Sequence, residues 1–317
     1  MIKIYIYENN IDVLPNQNQI ALKNQTGLFI FNIDTPQERY YLPEARDIGS
    51  VMFSPDGGNI MVISGYMHNQ ARVWDLNTKK IISEFSSPKT FRCCQWSEDG
   101  KKIISVTDSC INIRLANTAE IISVITFNED IHLYNKFEIS HDLGKFAIFS
   151  NDSLKVFDLG TGHQLYAVSG NHYGDIVTQL CFSPNDEFLI SASENGSINV
   201  WRCVDGMHLR HYDGSGNTIK DLSFDNNNEF FVSTDDKGNV DVWRVDGEVS
   251  YSQFQSHGEN LVLSRFAPNG RQIWSISANG NLYRWDFPPL QELIDKTRKL
   301  LENRPLTPEE QKKYYLD

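Results

Sequence analysis

The sequence predicts an all-β fold in which seven similar four-stranded sheets stand radially around one axis. Three observations carry this. One unit of about forty residues recurs along the chain, an aromatic position inside it keeps a nearly constant spacing, and the apolar pattern stays strand-like until Pro288.

The clearest unit runs Val51-Met52-Phe53-Ser54-Pro55-Asp56-Gly57, then Ile60-Met61-Val62-Ile63-Ser64, then Val73-Trp74-Asp75-Leu76. It reads as an apolar strand, a tight turn, a second apolar strand, a polar turn and a third strand ending in an aromatic. Phe182-Ser183-Pro184-Asn185-Asp186 with Val200-Trp201 repeats it, as do Phe224 with Val242-Trp243, and Phe266-Ala267-Pro268-Asn269-Gly270 with Arg284-Trp285-Asp286. Weaker copies hold Trp96-Ser97-Glu98-Asp99-Gly100, Val156-Phe157-Asp158, and Ile30-Phe31. The aromatic position falls at Phe31, Trp74, Arg114, Phe157, Trp201, Trp243 and Trp285, in steps of 43, 40, 43, 44, 42 and 42 residues. A period of roughly 40–45 residues with four short strands per unit is the signature of a propeller blade.

Composition narrows the function. The chain has 317 residues, 40% hydrophobic and 12% aromatic, enough for a large core. Its formal charge of −12 argues against a nucleic-acid backbone or an anionic membrane as partner, since both require clustered cations. No stretch approaches the roughly 20 apolar residues of a membrane span. The five cysteines, Cys93, Cys94, Cys110, Cys181 and Cys203, show no CxxC or ligand-like spacing. They read as small buried hydrophobes in a reducing cytoplasm.

At these residues the chain resembles the WD40-repeat β-propellers, over about residues 1–286. The resemblance implies seven blades and a non-enzymatic role in protein–protein interaction. It also implies a His–Ser–Asp–Trp hydrogen-bond set inside each blade, with the His nine residues before the turn Phe. On that spacing His257, Ser275 and Trp285 fit one blade, with Asn279 at the Asp position. Tyr173 and Asn195 stand in for His and Asp in the fifth blade, and Ser215 and Lys237 in the sixth, so the set is expected to be degraded. Where it survives it is scaffolding rather than a nucleophilic pair.

The last unit lacks an outer strand after Trp285-Asp286-Phe287, while Ile2-Lys3-Ile4-Tyr5-Ile6-Tyr7 precedes the first. The N-terminal strand is therefore expected to complete the seventh blade and close the ring. Residues 1–287 form the propeller and 288–317 a separate helical tail. In that tail Leu290, Leu293, Ile294, Leu300 and Leu301 share a helical face, and Thr307-Pro308-Glu309-Glu310 starts a second helix. The tail resembles the endings of bacterial multidomain proteins whose WD repeats follow an effector domain. No such module precedes the repeats here, which implies a separately encoded effector or a stand-alone scaffold. The tail either caps the propeller or docks a partner.

The chain contains no phosphate loop, GxGxxG, HExxH or GxSxG motif, and no cofactor or metal is expected. His208 and His211, three apart in a strand, are expected on opposite faces and so not to share a metal. Asp235-Asp236 and Asn226-Asn227-Asn228 read as solvated turns. In the family, partners often sit over the central opening, near the start of each innermost strand. The matching positions are Arg92, Thr178 and Lys220, with His172 and Tyr173 in a nearby loop. The expected partner is a protein or peptide, and an effector subunit is one candidate. The alternatives are a pure assembly scaffold, or an enzyme whose active site would need ionisable residues converging in the central channel.

Overall fold

The computed structural model describes residues 11–14, 19–24, 27–32, 35, 39–42, 48–64, 68–126, 136–150, 152–169, 172, 175–214, 216–247, 250–256, 258–267 and 269–287. Those residues form 27 strands in seven antiparallel sheets, six of four strands and one of three.

Each sheet is one sequence unit. Blade 1 holds β1 (Ile11–Leu14), β2 (Gln19–Asn24), β3 (Gly27–Asn32) and β4 (Arg39–Leu42). Blade 2 holds β5 (Ile48–Phe53), β6 (Asn59–Ser64), β7 (Gln70–Asp75) and β8 (Lys80–Ser86). Blade 3 holds β9 (Cys93–Trp96), β10 (Lys102–Val106), β11 (Cys110–Leu115) and β12 (Ile121–Thr126). Blade 4 holds β13 (Lys136–Ile139), β14 (Lys145–Ser150), β15 (Ser153–Asp158) and β16 (Gln164–Ser169). Blade 5 holds β17 (Val177–Phe182), β18 (Phe188–Ser193), β19 (Ile198–Arg202) and β20 (His208–Tyr212). Blade 6 holds β21 (Ile219–Phe224), β22 (Phe230–Asp235), β23 (Asn239–Arg244) and β24 (Ser250–Gln255). Blade 7 holds β25 (Leu261–Phe266), β26 (Gln272–Ser277) and β27 (Leu282–Asp286). The expected closing strand at 2–7 and the helical tail at 288–317 lie outside the described residues.

The turn after each innermost strand follows from its sequence. Ser54, Ser97, Ser140 and Ser183 each donate from Oγ to the side chain two residues on, at 2.6, 2.6, 2.7 and 2.8 Å. The same hydroxyls accept the backbone N–H that opens the next strand, at 2.8–2.9 Å. Asp225 does this in blade 6 with its carboxylate. A left-handed residue completes each turn: Gly57, Gly100, Leu143, Asp186, Asn228 and Gly270 have φ of 69°, 66°, 57°, 56°, 61° and 61°.

That left-handed position links blades where it holds a polar side chain, Asp186 or Asn228. Asp186 accepts the N–H of His141 at 2.9 Å and of Asp142 at 2.8 Å, and His141 Nδ1 lies 3.1 Å from its Oδ1. Asn228 accepts the N–H of Asn185 at 3.0 Å. The turns of blades 4, 5 and 6 are thereby tied in a row.

The core consists of seven apolar layers, each shared by two neighbouring blades. The second strands β6, β14, β18, β22 and β26 are buried on both faces, which is why they read as unbroken apolar runs rather than alternating ones. Val13, Ile20 and Leu22 of blade 1 pack with Val262, Leu263, Trp274 and Ile276 of blade 7, so the first and last blades meet and the ring closes.

Candidate functional site

At or next to the end of each innermost strand, one register position packs its side chain between blades: Val13, Phe53, Trp96, Ile139, Phe182, Phe224 and Phe266. Strand alternation turns the preceding residue toward the axis, which makes a ring of Asp12, Met52, Gln95, Glu138, Cys181, Ser223 and Arg265. Two residues earlier stand Ser50, Cys93, Lys136, Gln179, Asp221 and Leu263, all lining one axial cavity of about 430 Å³. At the start of β5, β17, β21 and β25 the register shifts by one, leaving Gly49, Thr178, Lys220 and Val262 as the extra residue.

The bulges and the cavity locate three of the five residues singled out from sequence. Thr178 sits at the β17 bulge and donates from Oγ1 to the Ala192 carbonyl at 3.3 Å. Lys220 sits at the β21 bulge and lines the cavity, and its carbonyl accepts from Gln179 Nε2 of the neighbouring blade at 2.6 Å. Arg92 precedes β9, lines the cavity, and forms an ion pair with Asp108. Lys136, which the sequence reading passed over, lines the same cavity as Arg92 and Lys220.

The same axis also carries carboxylates. Asp221 of blade 6 accepts the Ser264 N–H of blade 7 at 2.8 Å and pairs with Arg265. Asp12 of blade 1 accepts the Phe53 N–H of blade 2 at 2.7 Å. Three carboxylates, from blades 1, 4 and 6, thus act on one guanidinium from blade 7. Burial pushes Asp12 up to about 6, against the lowering effects of the Phe53 N–H and Arg265. Burial pushes Glu138 up to about 7, with His141 and Arg265 pulling the other way. Burial also raises Asp221. It works against the charge on Arg265, but Asp221, Asp12 and Cys181 together outweigh it and raise the guanidinium. Cys93 and Cys181 flank Glu138; burial pushes the Cys93 thiol up to about 12 and raises Cys181 as well. Neither thiol is therefore an activated nucleophile. All five cysteines are free, Cys94 and Cys203 buried and the other three half-buried.

His172 corrects the sequence reading. It is not a loop residue open to a partner: its relative exposure is 0%. Its Nε2 lies 2.8 Å from Ser191 Oγ, which also accepts the Trp201 indole N–H at 2.9 Å. Its Nδ1 lies 2.9 Å from Ser197 Oγ, which lies 2.8 Å from Ser193 Oγ; Ser193 in turn donates to Asn195 Oδ1. Asn195 Nδ2 closes the chain on the Asp175 carboxylate. His172 is therefore the network histidine of blade 5, one residue earlier than the family spacing implies; its Ser191–Trp201 half is present, while Ser197 rather than Asn195 meets Nδ1. Burial first, then His211 and His208, lower His172 to about 4, so it is neutral near pH 7. Tyr173, Ser215 and His257 lie outside the described residues.

His208 and His211 correct a second expectation. They share one face, with His208 Nε2 and His211 Nδ1 each 2.9 Å from Asn199 Oδ1. The β19–β20 register shifts at Val200/Trp201, so Leu209 is an extra residue and the three-residue spacing returns to the same side. Among the described residues no group of three or more His, Cys, Asp or Glu is placed to hold a metal. Asp235 is likewise not solvated: it is 1% exposed and accepts the N–H groups of Lys237 and Asn239, both at 2.9 Å.

The residues that sequence reasoning missed are Asp12, Glu138, Asp221 and Arg265. The signal was present: Asp12, Glu138 and Arg265 occupy equivalent axis-facing positions and Asp221 stands two residues earlier on the same face, visible when the seven units are stacked by register rather than by their aromatic.

The family model described as "WD domain, G-beta repeat" matches residues 162–202 and 206–244. Among curated proteins, the chain is 24% identical over 171 residues to "Eukaryotic translation initiation factor 3 subunit I" of Emericella nidulans, covering 48% of this chain and 49% of that protein. It is 23% identical over 159 residues to "Autophagy-related protein 16" of Arabidopsis thaliana, covering 50% of this chain and 23% of that one. The chain thus spans half or less of the length of these relatives. A chain of the "Crystal Structure of Mitotic Checkpoint Complex" superposes with a TM-score of 0.74 at 17% identity, covering 91% of this chain and 89% of that chain. That likeness speaks to fold alone. The protein is a seven-bladed β-propeller, and it carries WD40 repeats at residues 162–202 and 206–244.

Proposed function

We propose that the protein is a non-enzymatic interaction module, working in the cytoplasm, that seats a protein or peptide partner over the channel mouth formed by Arg92, Thr178, Lys136 and Lys220. The observation that carries this is the axial cavity of about 430 Å³, to which side chains from all seven blades contribute. A rigid scaffold with polar side chains converging on one opening is the arrangement binding sites favour. The relatives support the class of function only as far as their names: a subunit of an initiation factor and a component of autophagy.

A separately encoded effector is the partner we favour. The support is the resemblance of residues 290–316 to the endings of bacterial multidomain proteins. The curated relatives are fungal and plant proteins and do not add to it. Tyr173 remains part of the proposed docking loop; His172, being buried, does not.

One observation favours an enzymatic reading, namely the convergence of Asp12, Glu138 and Asp221 on Arg265, with Glu138 near 7 as a general base would be. Against it, Asp12 and Asp221 are already bonded to the backbones of neighbouring blades, which is clasp geometry. The test is a pull-down from the native host with the full chain, with Arg92→Glu/Lys220→Glu, and with residues 288–317 removed. The proposal expects the double variant to lose the partner that the full chain retains. Equal recovery by the double variant would move the docking site elsewhere.

A further inference from the structure

We propose that the partner segment seated in the channel is anionic, and that seating it draws a proton from solvent onto the axial carboxylates. This rests on the docking reading above and names the chemistry and regulation of that same site.

The argument begins with charge layering. The molecule carries a net charge of −12, yet the cavity wall gathers Arg92, Lys136 and Lys220 from blades 3, 4 and 6. Arg92 pairs with Asp108, and Arg265 lines the same cavity from blade 7. A field of this shape draws a carboxylate or phosphate group inward and rejects a cation at the entrance.

The second layer makes the site proton-linked. Asp12 faces Arg265 and Asp221, and takes the Phe53 N–H. Glu138 faces His141 of its own blade, and Arg265 and Asp221 across the axis, between the thiols of Cys93 and Cys181. Within this layer burial opposes the charge on Asp12, Glu138 and Asp221, and Asp221 repels the other two. An anion arriving above it raises the cost of keeping Asp12 and Glu138 ionised, and each relieves that cost by binding a proton. Linkage makes the effect reciprocal: protonated axial acids bind the anion more tightly by the same factor.

The experiment is calorimetric titration of the full chain with hexaglutamate, with a phosphoserine-containing hexapeptide and with hexalysine. It is run at low salt from pH 5.5 to 8.5, in buffers of different ionisation enthalpy. The two anionic peptides distinguish carboxylate from phosphate as the favoured group. The expected result is that at least one of them binds, roughly tenfold more tightly at pH 6 than at pH 8, with net proton uptake, while hexalysine does not bind. Asp12→Asn/Glu138→Gln should bind at the low-pH affinity throughout, and Arg92→Glu/Lys220→Glu should not bind. Anion binding without proton uptake overturns this inference and leaves the docking reading standing. Binding of hexalysine instead, or of no peptide while Arg92→Glu/Lys220→Glu still loses its partner in the pull-down, overturns the anionic chemistry alone. The wild-type proton count needs no variant, so a misfolded double mutant does not rescue the idea.

Discussion

Ser105 and Arg114 occupy in blade 3 the positions that Ser191 and Trp201 occupy in blade 5, and they do not bond: Ser105 Oγ and Arg114 Nε are both buried without a hydrogen-bond partner. Of the other six blades, five match acceptor to donor or lack both. Ser191, Ser233 and Ser275 accept the indole N–H of Trp201, Trp243 and Trp285 at 2.9, 2.8 and 3.0 Å. Where the aromatic is Phe31 or Phe157, the facing position is a hydrocarbon, Leu22 or Ile148. Blade 2 errs the other way: Val62 faces Trp74, whose Nε1 has no partner. Arg114 stacks its guanidinium over Phe85 at 4.8 Å and gives one N–H to the Ala119 carbonyl, which keeps it folded in without filling the tryptophan's role.

Arg114→Trp should therefore stabilise the protein, by about 1 kcal/mol from the new hydrogen bond to Ser105. Denaturant midpoints measure this. The gain should vanish in the Ser105→Ala background; equal gains with and without Ser105 would assign the effect to apolar burial instead. In blade 5, Ser191→Val should cost about 1–3 kcal/mol, since it strands both an indole N–H and His172.

His172 gives blade 5 a pH dependence of predictable sign. Its value falls from an ordinary 6.5 to about 4 on folding, because burial disfavours the charged ring. The stability it contributes is fully present above pH 6.5, and is lost as pH falls from there toward 4, to a total of about 3 kcal/mol. His172→Gln should flatten that part of the stability profile while lowering stability at pH 7. An unchanged slope between pH 6.5 and 4 would remove His172 as its source.

The His141–Asp186 clasp runs in the opposite sense on its histidine side. The Asp186 bond raises His141, so that contribution is present below its ordinary 6.5 and lost as pH rises through the raised value. Burial works to raise Asp186, but its bonds to His141 and to the His141 and Asp142 N–H groups hold it low, so its part is present at neutral pH and lost as pH falls. Asp186→Asn should keep the left-handed turn and one of the two backbone bonds but lose the alkaline slope. Asp186→Gly should keep the turn and lose both bonds and the slope. Urea midpoints between pH 6 and 8.5 distinguish the two.

Blade 7 has three strands among the described residues, and Tyr283 and Trp285 on β27 are only half-buried. We propose residues 2–7 as its fourth strand. Deleting residues 1–10 should then lower the melting temperature by several degrees and expose Trp285 to quenching; a wild-type melt and fluorescence would refute the assignment.

The repeat was legible because its causes are local. Turn chemistry at Ser54, Ser97, Ser140 and Ser183 and the spacing of Trp74, Trp201, Trp243 and Trp285 need no tertiary information. His172 was misplaced because the loop before β17 is one residue off the family spacing, and a count has no way to sense a side chain swinging inward. His208 and His211 were misassigned because strand alternation assumes an unbroken register, which the Leu209 bulge breaks. The axial acids went unread because Asp12 and Arg265 sit 253 residues apart in the sequence and become neighbours only when the ring closes.

Arg265 also bears on how the chain is made. Synthesis delivers Asp12, Glu138 and Asp221 before the guanidinium that offsets them. A nascent chain halted after six blades holds these carboxylates together with Arg92, Lys136 and Lys220 but lacks the guanidinium that clasps Asp221. The final blade therefore brings the ion pair that ties blade 6 to blade 7 as the ring closes.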